Sequence, residues 1–388
     1  MRILWIRSYH APAYGFGGPV STGVALCKGL TQAGHDVTVL ATDVRPQGHL
    51  NVPRGRPVDV AGNPVVFVHG FRRIPLPFFA PAMMGAAKEM ARDADIILAS
   101  ATMTYPQTVA FRIARFYGKP FLPILHNALS QGAWQTRGLF ARAYMELIER
   151  PILRRSTAIV FTSEGEKASS AAHRLRPPAV VCPLCIDLDA HRPLPQTLGL
   201  RARLSIPEEA KVVLFVGRLT PWKGVDELIR GLAVLRKRYP ETYLLIVGPD
   251  AGHGLALQAL AAQLGVADRV RFVGELRGDE LKSAFQESDL FGFLSQFENF
   301  GAAIAEALAY GLPAIISRDI GDAARFQASG AVRVVSRNAS DFAEAAGGFL
   351  ADPAKMKSMS KSAREFARTS LSPLHSATIM MEQLSPYL

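Results

Sequence analysis

The sequence has few of the features that mark secreted, membrane-spanning or metal-binding proteins. Its three cysteines include one C-x-x-C pair, Cys182 and Cys185, but no second pair or nearby histidine doublet completes a zinc site. No apolar run reaches the roughly 18 residues that cross a bilayer, and the apolar stretch in MRILWIRSYH is far too short for a secretory signal. These absences predict a cytoplasmic globular protein.

Acidic residues are scarce in the first half of the chain. Residues 1–190 hold 21 Lys+Arg against 12 Asp+Glu, whereas residues 191–388 hold 23 against 21, within a net charge of +11. A basic first half favours an anionic partner, such as nucleic acid, an anionic membrane surface or a phosphorylated substrate. The basic residues are scattered, and no RNA-binding or helix-turn-helix signature is present, which argues against nucleic acid.

Twelve apolar, strand-like segments alternate with helical segments. They are residues 2–7, 36–42, 65–69, 95–100, 121–126 and 158–163, and then 212–218, 243–248, 269–274, 289–295, 314–317 and 332–336. The alternation predicts an α/β protein with two similar doubly wound, Rossmann-like domains. We place them at residues 1–190 and 191–372, with a proline-containing connection near 184–210. We expect a C-terminal helix, about 373–388, to pack back on the first domain.

In open sheets of this kind ligands bind beyond the carboxyl ends of the strands, and two facing domains would share one cleft there. The first strand runs into residues 14–19, YGFGGP, a glycine turn whose backbone amides suit a phosphate. A dinucleotide fingerprint needs a third glycine where Val20 stands, which argues against a dehydrogenase. In the second domain, VGRLTPWKG places Arg218 and Lys223 beside a helix N-terminus, an arrangement that suits a pyrophosphate.

Two more strand-end positions carry polar groups. His126 ends the strand FLPILH. The segment FENFGAAIAEALAYGLP, residues 297–313, predicts a helix from 302 to 310 that Asn299 or Gly301 caps. Glu306 lies on this otherwise apolar helix, and because unpaired acids are rarely buried, we expect a ligand to bind there.

The order of these motifs resembles that of the retaining glycosyltransferases of family 4, which have the GT-B fold. The motifs are the glycine turn, the strand-end His126, R-x4-K-G from Arg218, and E-x7-E from Glu298 to Glu306. The likeness runs over nearly the whole chain. Residues 144–167 and 246–276 look like the branch that builds bacterial exopolysaccharide and lipopolysaccharide.

The resemblance implies a role for each of these residues. Arg218 and Lys223 would hold the diphosphate of a nucleotide-sugar donor and neutralise the charge that develops as the nucleoside diphosphate leaves. Glu306 would bind the ribose hydroxyls and Glu298 the hydroxyls of the transferred sugar, with His126 near that sugar. The resemblance thus implies four catalytic residues, Arg218, Lys223, Glu298 and His126. The donor-binding positions would be Glu306 together with Gly17, Gly18, Gly217, Asn299, Phe300 and Gly301.

The family uses no metal and no cofactor, and its donor, here a UDP- or GDP-sugar, is a substrate. A metal-dependent transferase would use a D-x-D motif, and Asp187-Leu188-Asp189 has that form, but Asp187 stands at the domain connection. The acceptor would be a sugar or a lipid-linked sugar. Two other functions remain open: a GT-B nucleotide-sugar epimerase, and a catalytically silent sugar-nucleotide-binding protein.

The segment FRRIPLPFFAPAMMG, residues 71–85, joins Arg72 and Arg73 to three phenylalanines. It is either an ordinary loop folded over the core or part of a surface that faces lipid or acceptor. The second interpretation would make the protein peripheral on the inner face of the plasma membrane.

Overall fold

The computed structural model describes residues 1–73, 76–129 and 138–388. The chain divides into two compact units. The N-terminal unit contains Met1–Asp187 and Leu371–Leu388, and the C-terminal unit contains Leu188–Ser370. Residues 371–388 therefore fold with the N-terminal unit.

The N-terminal unit is built on an eight-stranded sheet in the order β3-β4-β2-β1-β5-β6-β7-β8. Its strands are β1 (Arg2–Arg7), β2 (Asp36–Thr42), β3 (Pro57–Val60), β4 (Asn63–Val68), β5 (Ile96–Ser100), β6 (Phe121–Ile124), β7 (Ile159–Phe161) and β8 (Ala179–Val181). All neighbours pair in parallel except β3, which runs antiparallel to β4 at the sheet edge. Most of the strand residues are buried, as expected for a sheet that helices cover on both faces.

Helices lie on both faces of this sheet. Those of the described residues are α1 (Gly18–Gln32), α2 (Met83–Met90), α3 (Tyr105–Tyr117), α4 (Leu139–Tyr144), α5 (Arg150–Arg154), α6 (Glu164–Ser169) and α15 (Pro373–Leu384), and a π-helical turn, Met145–Glu149, joins α4 to α5. One face carries α1 and α15, whose buried Leu26 and Met380 share a hydrophobic cluster with Trp5 of β1. The other face carries α2 and α3, whose Ala87 and Val109 pack with Ile6.

The C-terminal unit has a six-stranded sheet, entirely parallel, in the order β11-β10-β9-β12-β13-β14. The strands are β9 (Lys211–Val216), β10 (Thr242–Val247), β11 (Val270–Gly274), β12 (Leu290–Phe293), β13 (Ala314–Ser317) and β14 (Val332–Val335). Its helices are α7 (Leu200–Arg203), α8 (Val225–Leu235), α9 (Gly254–Gln263), α10 (Gly278–Gln286), α11 (Ala302–Ala309), α12 (Ala323–Gln327), α13 (Ala339–Leu350) and α14 (Pro353–Ser370). The strand order reverses between β9 and β12, and ligands bind at such a reversal in doubly wound sheets.

All twelve predicted strands are present, with bounds that shift by up to two residues. Two strands were not among the twelve: β3 and the short β8. The prediction of two Rossmann-like, doubly wound domains is confirmed. None of the described helices is both long enough and apolar enough to cross a bilayer.

Candidate functional site

The loop after β9 forms the first part of the candidate site. It leaves the strand at Gly217, whose amide donates to the carbonyl oxygen of Val247 at 2.9 Å. Arg218 follows and is exposed; within the described part of the chain it has no hydrogen-bond or ion-pair partner. A guanidinium of this kind can meet an anion without first breaking a contact in the protein.

The conformation of Gly224 fixes the end of this loop. Gly224 lies between the 3₁₀ turn Pro221–Lys223 and α8, with φ of +72°. A Cβ at this position would lie 2.1 Å from the carbonyl oxygen of Leu294, which follows β12. No other residue fits here without a backbone shift, so glycine allows the β9 loop to approach the end of β12 closely.

This approach brings Lys223 to Glu298, and the two side chains form an ion pair. They are 14% and 23% exposed, and the Lys223 ammonium also lies 5.0 Å from the centre of the Phe293 ring. The Glu298 backbone is held by a bridge to Ile320 and by the amide of Gly321, which donates to its carbonyl oxygen at 2.9 Å. The sequence motifs R-x4-K-G and E-x7-E therefore meet in space through this pair.

Helix α11 begins next to Glu298. Gly301 is its N-cap, with φ of +74°, so of the two predicted caps Gly301 takes the position. Phe300 is 3% exposed and packs 5.6 Å from the Phe326 ring, so only its backbone can serve a ligand. The carbonyl oxygen of Asn299 accepts from the amide of Asp322 at 3.0 Å, which fixes the chain before the helix.

Glu306 lies one turn into α11, and its side chain is 17% exposed. Burial raises the pKa of this carboxyl, and His191 acts weakly in the opposite direction. The His191 Nε2 atom is 3.9 Å from a Glu306 carboxylate oxygen, which is too far for a hydrogen bond. Glu306 thus has lone pairs available, and sequence reasoning did not identify His191 as its neighbour.

In the N-terminal unit, the glycine turn lies beside a buried arginine that sequence reasoning missed. Gly17 has φ of +84° and caps α1, which starts at Gly18. Arg7, at the end of β1, is 1% exposed, donates to the carbonyl oxygen of Pro19 at 2.7 Å and lies 2.7 Å from His10 Nδ1. Arg7, the last residue of a strand whose centre is apolar, thus holds the glycine turn in place.

His126 follows β6 with φ of +49°, and Asn127 has φ of +64°. Their backbone is held by Glu166, a buried acid that accepts hydrogen bonds from the amide of Asn127 and from the amide and hydroxyl of Thr162. Burial, together with Arg7, lowers the pKa of His126 to about 3. The His126 imidazole is therefore neutral at pH 7.

A cavity of about 140 Å³ lies at the carboxyl ends of β1, β5 and β6. Among the described residues, four of its lining side chains have a buried polar atom without a hydrogen-bond partner: Arg7 Nε, Ser8 Oγ, Thr102 Oγ1 and His126 Nε2. Such atoms are costly to leave unpaired. The cavity therefore suits a polar ligand.

Of the remaining predicted positions, the 71–85 segment reaches the glycine turn, where Phe78 packs against Phe16 with ring centres 5.8 Å apart. Asp187 pairs with Lys28 at 2.8 Å, and Cys182 and Cys185 are buried. In the 71–85 segment, Phe71, Arg72 and Arg73 are exposed, whereas residues 74 and 75, including Pro75, lie outside the described residues.

Two families match the chain. Residues 16–190 match Glycosyltransferase Family 4, and residues 199–366 match Glycosyl transferases group 1. A similar curated protein is the D-inositol 3-phosphate glycosyltransferase of Salinispora tropica, 36% identical over 178 residues, which are 43% of this chain and 37% of that protein. The chain is thus aligned with well under two thirds of this relative's length.

Solved structures resemble the chain over its whole length. Sucrose-phosphate synthase from Thermosynechococcus elongatus superposes with a TM-score of 0.75 at 21% identity, covering 99% of this chain and 98% of that chain. HepE from Anabaena, solved in complex with UDP, superposes with a TM-score of 0.76 at 19% identity, covering both chains completely. These likenesses confirm the predicted fold, and the family matches confirm the prediction of glycosyltransferase domains. Two glycosyltransferase families thus match successive parts of the chain, Glycosyltransferase Family 4 over residues 16–190 and Glycosyl transferases group 1 over residues 199–366, and the fold is of the GT-B type.

Proposed function

We propose that the protein is a retaining glycosyltransferase that moves a sugar from a nucleotide diphosphate sugar to an acceptor hydroxyl. The observation that carries the proposal is the ion pair between Lys223 and Glu298 at the carboxyl ends of β9 and β12; Lys223 lies in the same loop as Arg218, which is exposed and has no partner among the described residues. Two cations suit a diphosphate and a carboxylate suits sugar hydroxyls. Retention of configuration is part of the proposal and rests on the family resemblance.

The chemistry needs negative charge to be stabilised as the nucleoside diphosphate leaves. Arg218 and Lys223 act on that charge, and preorganised donors of this kind are each worth roughly 10²–10³ in rate. The backbone amides of Asn299, Phe300 and Gly301 and the Glu298 carboxylate bind the transferred sugar. Glu306, whose side chain is 17% exposed, binds the ribose hydroxyls through its carboxylate oxygens. No metal ion or separate cofactor takes part in this proposal.

UDP is the nucleotide that the comparisons favour, because HepE has been solved with UDP and with UDP-glucose. We therefore propose a UDP-hexose donor. Gly17, Gly18 and Gly217 keep the donor-binding roles that the family resemblance implies, and His126 keeps its catalytic role near the transferred sugar.

The donor assignment is tested by measuring the thermal stability of the protein with a panel of nucleotide sugars. A ligand at 100 times its Kd should stabilise the folded protein by ~2.7 kcal/mol. If only nucleotide sugars with one base stabilise the protein, that base is the donor base. If no UDP- or GDP-sugar stabilises it, the proposal is overturned. Release of nucleoside diphosphate only when an acceptor is present distinguishes transfer from epimerisation, and absence of any turnover would show a silent binding protein.

The acceptor proposed here is a lipid-linked sugar used in bacterial cell-surface polysaccharide or glycolipid synthesis, which places the protein at the inner face of the plasma membrane. It is supported by Phe71, Arg72 and Arg73, which are exposed together on the unit with the larger positive charge. The named activity of the Salinispora relative favours a different acceptor, a phosphorylated polyol. Only the lipid-linked acceptor requires the protein to bind a membrane, so the membrane test below separates the two.

Vesicle sedimentation tests the membrane-facing acceptor surface. Each basic residue near an anionic membrane contributes about 1 kcal/mol, and salt screens this attraction. We expect the double change Arg72→Glu/Arg73→Glu to weaken binding to anionic vesicles, whereas Arg154→Glu/Arg155→Glu, an exposed pair in the same unit, leaves it nearly unchanged. Equal binding to neutral and anionic vesicles, or equal loss in both variants, would remove the membrane surface from the proposal.

A further inference from the structure

We propose that Asp43, His49 and His69 form a binding site for a divalent transition-metal ion. One ligand atom from each of the three lies within 4.8 Å of the other two. Asp43 follows β2 and His69 follows β4, so neighbouring parallel strands deliver both to the same edge of the sheet. The proposal is independent of the sugar-transfer function, which uses none of these residues.

The separation between Asp43 and His69 already suits a metal. Asp43 Oδ2 and His69 Nδ1 are 3.2 Å apart. In a tetrahedral site with bonds of ~2.0–2.1 Å, neighbouring ligand atoms are about 3.3 Å apart. An ion can therefore take the place of the hydrogen bond between these two atoms once the Arg54 guanidinium, which also contacts Asp43 Oδ2, moves away.

The third ligand is oriented by the backbone. His49 Nε2 lies 2.9 Å from the carbonyl oxygen of Gly70, so this nitrogen carries the hydrogen and Nδ1 keeps its lone pair. Metal-bound histidines usually donate their second ring nitrogen to a carbonyl or carboxylate in this way. The loop that carries His49 is closed by the bridge between Val44 and His49 and by the Leu50 amide, which donates to the Asp43 carbonyl oxygen at 2.7 Å.

Asp43 is held rigidly at the bottom of the cluster. Its side chain is fully buried; Oδ1 accepts a hydrogen bond from the Gly70 amide at 3.1 Å, and Oδ2 accepts two from Arg54, from Nε at 2.7 Å and from Nη2 at 2.6 Å. A bound cation takes the place of the Arg54 guanidinium at Oδ2, and the Arg54 side chain, which is 50% exposed, can turn to solvent. Imidazole nitrogen ligands favour Zn²⁺, Co²⁺, Ni²⁺ or Cu²⁺ over Mg²⁺ and Ca²⁺.

The site is open to solvent on the histidine side. His49 is exposed, and the His69 side chain is 42% exposed, so an ion can enter and keep a water ligand. The His69 ring also contacts Phe71 edge-on, with centres 5.1 Å apart. A bound ion would thus join the loop after β2 to the beginning of the 71–85 segment.

The test uses the full-length protein without a histidine tag, stripped with a chelator and dialysed. Co²⁺ alone is titrated by its visible absorption, and Zn²⁺ alone by calorimetry. We expect one equivalent to bind, at least a tenfold loss of affinity in His49→Gln and in His69→Gln, and no loss in His35→Gln, a partly exposed histidine of the same unit. We also expect millimolar Mg²⁺ not to displace Co²⁺.

Three results would overturn the site. They are no saturable binding by the wild-type protein, equal affinity in the two cluster variants and in wild type, or displacement of Co²⁺ by Mg²⁺. Melting curves recorded without metal show whether each variant is folded, and the shift that Zn²⁺ adds to them is a second readout. Both cluster variants should lose that shift, whereas the His35 variant should keep it.

Discussion

Replacing Glu306 by glutamine should separate protein stability from donor binding, because the carboxylate has opposite effects on the two. The Glu306 side chain is 17% exposed, His191 Nε2 lies 3.9 Å from one of its carboxylate oxygens, and burial raises the pKa of the carboxyl. An acid whose folded-state pKa is raised destabilises the fold once the pH is high enough to ionise it. Glu306→Gln removes that charge and keeps the shape, so we expect an equal or higher melting temperature at neutral pH.

Donor binding should change in the other direction. Losing one charge-assisted hydrogen bond to a ribose hydroxyl costs ~1.5–3 kcal/mol, which is roughly tenfold to 150-fold in Kd. The wild-type affinity depends on ionised Glu306 and should fall as the pH decreases through its raised pKa. The affinity of the Glu306→Gln variant lacks this dependence. The ratio of its Kd to the wild-type Kd should therefore approach one at low pH.

The assay is isothermal calorimetry with the nucleoside diphosphate that the nucleotide-sugar panel selects, at pH values above and below that pKa. Glu365→Gln, an exposed acid on α14 of the same unit, is the matched control and should bind as wild type does. Equal affinity in Glu306→Gln and wild type would remove Glu306 from the donor site. A Kd ratio that does not change with pH would contradict the effect assigned to the burial of Glu306. So would a melting temperature of Glu306→Gln below that of wild type.

Arg218→Ala should lower turnover more than donor affinity, because its contact strengthens as charge develops; steady-state kinetics within twofold of wild type would contradict this role. In denaturant titrations Gly224→Ala should lower the free energy of unfolding by more than the ~1–3 kcal/mol that backbone strain alone costs, because the new Cβ also collides with Leu294. Gly278→Ala, with φ of +54° and open space, is its control, and an equal loss there would contradict the close contact. Burial lowers the pKa of His126 to about 3, so folding stability is complete above pH ~6.5 and decreases below it, by about 2 kcal/mol at pH 5. His126→Asn should flatten that acid limb in thermal unfolding, and parallel pH curves for the two proteins would show that His126 does not cause it.

The strands were predictable because a parallel sheet buried on both faces needs nearly continuous apolar runs. Segments such as 36–42 and 314–317 were located to the residue. The missed strand β3 has the sequence PVDV and lies at the sheet edge, where its residues are exposed or partly exposed. Its stability comes from pairing with β4, and that pairing leaves no apolar pattern in the sequence.

The candidate site was only partly predictable. Residues with a motif, such as Arg218 and Glu298, could be selected from order and spacing. Residues without a motif could not be selected in this way. His191, the neighbour of Glu306, is 115 positions before it in the sequence and belongs to no motif. Arg7 looked like the end of an apolar strand, and only the folded glycine turn shows that it binds the Pro19 carbonyl oxygen. A lone buried polar residue leaves little sequence signal unless its partner is also known.

Arg218 and Lys223 belong to the same motif, but their surroundings in the structure differ. Arg218 is exposed and unpartnered within the described residues, so it can attract a diphosphate from solvent. Lys223 is already paired with Glu298 and lies over Phe293, so its charge is largely compensated within the protein. When sugar hydroxyls bind Glu298, they share its lone pairs and leave more of the Lys223 charge for the diphosphate. Under the proposed function, sugar binding and stabilisation of the leaving group are therefore coupled through one ion pair, and a nucleoside diphosphate without its sugar would use that pair only in part.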